Sequence, residues 1–135
     1  MINPLATFIQ YLKAQAAAGN LSTRQIAEKI RYTEAWKIGS KSIVARLDGG
    51  TPNVDLPVQA VRVEVRCFAE NSFEASELLN EVIVLSRTAD RVPVTVGSDT
   101  ALLYGFQQSS GPSQLYDDDV KMDFALMFFE VQVAE

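Results

Sequence analysis

Apolar residues recur along this chain at two spacings, and the changeovers between them mark its elements. Leu5, Phe8, Ile9, Leu12 and Ala16 fall three or four residues apart, which predicts an amphipathic helix. Asn3 followed by Pro4 starts it with a capping side chain and a proline where the missing N–H costs little, and Gly19-Asn20 ends it. Ser22 to Gln25 has the form of a capping box, with Ile26, Ala27 and Ile30 as a short apolar face behind it. Arg31 to Lys41 shows no period and reads as a loop or irregular edge strand anchored by Trp36 and Ile38.

The pattern then changes to alternation. Ile43, Ala45 and Leu47 share one phase of a strand that ends in the turn signal Asp48-Gly49-Gly50. A connection with two prolines, Asn53 and Asp55 leads to the cleanest strand of the chain. There Val61, Val63, Val65 and Cys67 alternate with Arg62, Glu64, Arg66 and Phe68. Asn71 and Glu74 cap a second helix, whose stripe is Ala75, Leu78, Leu79, Val82 and Leu85 and whose end falls near Arg87.

Four segments remain. Pro93 confines Arg91 to Gly97 to a sheet edge or an extended loop. Ala101 to Gln107 reads as a strand with Leu102, Tyr104 and Phe106 in one phase, and Ser109 to Asp119 as a polar loop. In the last strand the apolar positions are even-numbered from Met122 to Phe128 and odd-numbered from Phe129 to Val133. A period of two cannot keep one face buried through that change. The pattern predicts a β-bulge at Phe128-Phe129, or a strand end that passes from its own core to a partner's surface. The expected architecture is α+β, a mostly antiparallel sheet of four to five strands with two main helices on one face, in a single domain over residues 1–135.

Composition narrows the chemistry. The net charge of −5 disfavours binding to a phosphate backbone. Without any histidine the chain lacks the commonest metal ligand and the side chain best suited to proton transfer near neutral pH. Its one cysteine, Cys67, shares the apolar phase of its strand and is expected to be a small buried hydrophobe. No signal-peptide pattern opens the chain, and no apolar run approaches the roughly 20 residues that span a bilayer. A cytoplasmic location, or one within a soluble particle, is the expectation.

Phosphate-binding, dinucleotide-binding and nucleophile-elbow motifs are all missing. Asp117, Asp118 and Asp119 are consecutive, so their side chains do not readily converge on one cation, and a solvated loop is the plainer reading. The residues therefore point to a protein that acts by contact and assembly. No catalytic, cofactor or metal residues are assigned.

The stretch Ile43 to Pro57, IVARLDGGTPNVDLP, and the stretch Val61 to Val82 that begins VRVEVRCFAENSFEA together resemble the tail terminator (tail-completion, minor capsid) proteins of long-tailed bacteriophages. The likeness lies in a strand running into Asp-Gly-Gly and a Pro/Asp-rich loop. A V-x-V-x-V-R-C-F strand and an E-A-x-x-L helix follow. It covers the middle third of the chain closely and the rest in outline.

The resemblance implies a homo-oligomer, a six-membered ring on the head-proximal end of the tail tube. Such a ring stops tube polymerisation and offers a surface to the head connector or neck proteins. It implies a virion protein assembled in the host cytoplasm, with no cofactor, no sequence-specific nucleic-acid contact and no membrane. A neck or connector adaptor is the near alternative, and a stand-alone ligand-binding α/β domain the distant one. The expected contact residues are Asp48, Gly49, Gly50, Asn53 and Asp55 at the first loop. Arg62, Glu64 and Arg66 follow on the charged strand face, then Tyr116, Asp117, Asp118 and Asp119 in the second loop, and Phe129 on the last strand.

Overall fold

The computed structural model describes residues 3–49 and 58–134. Helix α1 (Pro4–Ala17) and helix α2 (Ser72–Thr88) pack on a six-stranded sheet of β1 (Ile26–Ala27), β2 (Ser42–Leu47), β3 (Val58–Ala69), β4 (Val92–Val96), β5 (Asp99–Asp117) and β6 (Met122–Ala134). The sheet order is β1-β2-β3-β6-β5-β4. Among the described residues only β1 and β2 pair in parallel, and the other four pairings are antiparallel. The α+β class with two helices holds, while the strand count exceeds the expected four to five.

Both helices begin as their sequences dictate. Asn3 Oδ1 accepts from the Ala6 N–H at 3.1 Å, and Asn71 Oδ1 accepts from the Glu74 N–H at 2.9 Å. Each cap satisfies one of the amides that the first helical turn leaves unpaired, a contribution of about 1 kcal/mol. The α2 stripe is buried at Ala75, Leu78, Leu79, Val82 and Leu85. With Phe8 and Leu12 of α1 it covers Val61, Val63, Val65 and Cys67 of β3 and Met127, Phe129, Val131 and Val133 of β6 in one cluster. Phe106 knits this core together, with its ring 4.9 Å from Phe8 and 5.5 Å from Phe129, both edge to face.

The expected bulge at Phe128-Phe129 is absent. β3 and β6 pair without a shift from Val58↔Ala134 to Ala69↔Asp123. The odd-numbered residues of β6 face the helices throughout. Its even-numbered apolar residues lie on the other face, where Met122 and Phe124 join Val44, Phe68 and Val120 in a second, smaller core. The apparent change of phase is therefore one strand buried on both faces in its first half. Phe129, expected near a partner surface, is fully buried in the main core.

The register shifts fall in β5, between Leu103 and Gly105, Gln108 and Ser110, and Ser110 and Ser113. The first reverses the expected phase, because Ala101 and Leu103 are buried and, beyond the bulge, Phe106 is too. The segment expected as a polar loop from Ser109 is strand as far as Asp117. Its polarity reflects exposure on a sheet edge. As Pro93 implied, β4 is an edge strand.

Ser22 to Gln25 forms no helix. Thr23 Oγ1 donates to the Lys41 carbonyl at 2.5 Å, and Gln25 Oε1 accepts from the Lys37 N–H at 2.6 Å. These side chains fasten the Arg31–Lys41 connection, so they are not free to cap a helix. Of the expected anchors there, Trp36 is half-buried and Ile38 is 45% exposed. In β2 the buried face stops at Ala45, since Leu47 is 56% exposed.

Candidate interaction surfaces

Among the described residues the helices leave one sheet face free of helical cover, and on it the charged row of β3 is the central feature. Alternation places Arg62, Glu64 and Arg66 together on this face, each half-buried. The register sets Arg46 of β2 beside Glu64, and Glu130, Phe128 and Leu126 of β6 beside Arg62, Glu64 and Arg66. Arg62 Nε lies 3.4 Å from Asp48 Oδ2, and its Nη2 donates to Ser110 Oγ at 3.3 Å. Arg66 and Glu64 form a second ion pair.

The two arginines also cover aromatic rings. The Arg62 guanidinium carbon is 4.2 Å from the Phe128 centroid, and that of Arg66 is 5.0 Å from Phe124. Cation and ring attract through the quadrupole of the ring, and each stem shields apolar surface while its guanidinium stays partly exposed, the Arg62 Nε itself being buried. Arginine and aromatic side chains among neutralising carboxylates make up a surface suited to contact with another protein. The sequence analysis placed none of Phe124, Phe128 and Ser110 on this surface, and Phe128 entered it only as half of the expected bulge. The even-numbered apolar run of β6 was their signal, legible once that strand is set beside β3.

The described parts of the two expected contact loops lie toward opposite ends of the sheet. Asp48 and Gly49 are exposed where β2 leaves the sheet, the end at which β3 begins. Gly50, Asn53 and Asp55 lie outside the described residues. Asp117, Asp118 and Asp119 sit at the other end, where the β5–β6 turn faces the end of β3. Asp48 sits level with Arg62, whose carbonyl accepts from its N–H, so at about 3.3 Å per residue the eight residues from Arg62 to Ala69 put on the order of 25 Å between it and the turn.

Within the second turn Asp117 has a local role. Its Oδ1 accepts from the N–H of Asp119 at 2.8 Å and of Val120 at 3.3 Å, closing the turn, while Asp118 and Asp119 are exposed. Tyr116 is 55% exposed beside this turn.

Cys67 has no exposed surface, and burial, with the negative charge of Glu81 adding to it, pushes its thiol far above the ordinary range. The protonated thiol is a poor nucleophile. A cleft of about 650 Å³ runs between α1 and α2 and is lined by Gln15, Asn20, Glu77, Asn80, Glu81 and Val84 among others. Glu81 Oε1 there accepts from the Ser22 N–H at 2.8 Å, which ties the two helical regions together. No protein-family model matches the chain, and no curated protein matches it.

Proposed function

We propose that this chain is a structural subunit of a bacteriophage tail terminator, a ring that caps the head-proximal end of the tail tube and presents a joining surface to the head. The observation that carries the reading is the placement of Asp48-Gly49 and of the Asp117–Asp119 turn toward opposite ends of one sheet, on the order of 25 Å apart. A capping ring meets the tube on one side and the connector on the other, so each subunit needs contact surfaces at two ends. It also needs two different flanks, because closed cyclic symmetry joins unlike patches. The Arg–Phe sheet face and the helical face supply such unlike flanks. The resemblance in Ile43 to Val82 supports the same reading.

The test is the solution mass by light scattering, over a wide concentration range, with and without purified tail-tube protein. A six-fold mass, alone or on tubes only, is the expected result. A monomer or dimer that ignores tubes over the whole range would overturn the proposal.

A further inference from the structure

The outer edge of β5 changes character along its length. β4 pairs with it only as far as Leu103, and among the described residues no other strand covers it beyond that point. From Leu103 to Ser113 the edge carries three register shifts and Pro112, devices that discourage pairing. From Ser113 to Asp117 it is regular, residue for residue against Leu126 to Met122. This last stretch is an unprotected strand edge.

Large apolar side chains flank it. Leu115 is 49% exposed and Tyr116 55%, pointing to opposite faces by alternation. Gln114 Nε2 donates to Ser76 Oγ and so fixes α2 beside the strand. Moving from that contact toward the turn, Tyr116 lies two residues on along β5 and Phe73 three residues back along α2. Both steps, of about 7 Å and 4.5 Å, run the same way. Phe73 is 70% exposed. The same end is acidic: between 117 and 123 stand Asp117, Asp118, Asp119 and Asp123 against Lys121 alone.

We infer that the edge Ser113–Tyr116, with Phe73 above it and the acidic turn at its end, is a docking site for an extended basic segment of a partner protein, which adds to the sheet as a seventh strand. The backbone groups of the edge supply the hydrogen bonds of strand addition. Phe73 and Tyr116 receive the alternate apolar side chains on one face, Leu115 lies against the aliphatic stems of the basic residues on the other, and the carboxylates select lysine or arginine there. An acidic or neutral segment lacks that selection. The inference stands on this edge alone and holds whether or not the chain forms a ring.

The experiment uses the full chain and a fluorescein-labelled eight-residue peptide of alternating valine and lysine. The controls are the same peptide with glutamate for lysine, and one N-methylated on alternate residues so that it cannot pair. The valine–lysine peptide should bind, weaken with salt, and slow amide hydrogen exchange within Ser113–Tyr116. Both controls should bind at least tenfold more weakly. The double variant Phe73→Ala, Tyr116→Ala should keep the native melting temperature and bind the peptide at least fivefold more weakly. Three results each overturn the inference: no binding, equal binding of the glutamate peptide, or protection confined to another region.

Discussion

Phe128 and Phe129 are neighbours in the chain and belong to different surfaces of the molecule. Phe129 is fully buried on the helical side, its ring 5.5 Å from Phe106. Phe128 lies on the opposite face beneath the Arg62 guanidinium, 4.2 Å from ring centroid to Cζ. One peptide bond separates the main core from the charged face of the sheet.

Truncating the two rings should therefore have unequal costs. Phe129→Ala leaves a large cavity and should destabilise the fold by about 3–5 kcal/mol in urea unfolding. Phe128→Ala, whose ring is only half-buried, should cost less than half as much. Equal losses would place both rings in one core and contradict the unshifted β3–β6 register.

The Arg62–Phe128 contact should appear as coupling. A double-mutant cycle with Arg62→Ala and Phe128→Ala should give an interaction energy of about 0.5–1 kcal/mol, the range for a cation over a ring at a wet site. Additive single effects would mean that the stacking contributes nothing beyond shielding.

Gly111 has a φ of +107°, and a Cβ added there would meet the Leu126 carbonyl oxygen at 3.0 Å and the Met127 Cα at 3.1 Å. Gly111→Ala should lower stability by about 1–3 kcal/mol through backbone strain and this contact. An unchanged urea midpoint would show that the β5 edge relaxes freely here.

Cys67 should resist Ellman's reagent at pH 8 in the native state and react at once in urea. Its folded pKa is raised above the ordinary 9.0, first by burial and then by Glu81. The folded state therefore holds the proton where the unfolded chain releases it. The stability associated with the thiol is fully present below about pH 8.5 and falls above it, by up to about 1.4 kcal/mol per pH unit. Cys67→Ala should flatten that alkaline limb; an unchanged slope would assign it to other groups.

Much of the fold was legible because its signals are local. The two Asn caps, the α2 stripe and the alternation of β3 each lie within a few residues, and each formed as its pattern required. The errors came where a long-range partner decided the outcome. Ser22 to Gln25 has a helix-start pattern, but bonds to Lys37 and Lys41 recruit its side chains. Ser109 to Tyr116 is polar because it lies on an exposed edge, which composition alone does not distinguish from a loop. The phase change in β6 was a real signal, and its cause was a second buried face supplied by Val44 and Phe68 from distant strands. Among the expected contact residues, the charged row came together as an ion-paired, ring-stacked surface, whereas Phe129 did not reach the surface at all.

The unshifted β3–β6 ladder also sets how the molecule bears load. Forces applied at Val58 and at Met122, the first residues of β3 and β6, pull these two antiparallel strands along their lengths in opposite directions. All twelve residue pairs then resist together in shear, where a hairpin opened from one end would yield them one at a time. A sheet built this way is stiff along the direction of its two central strands.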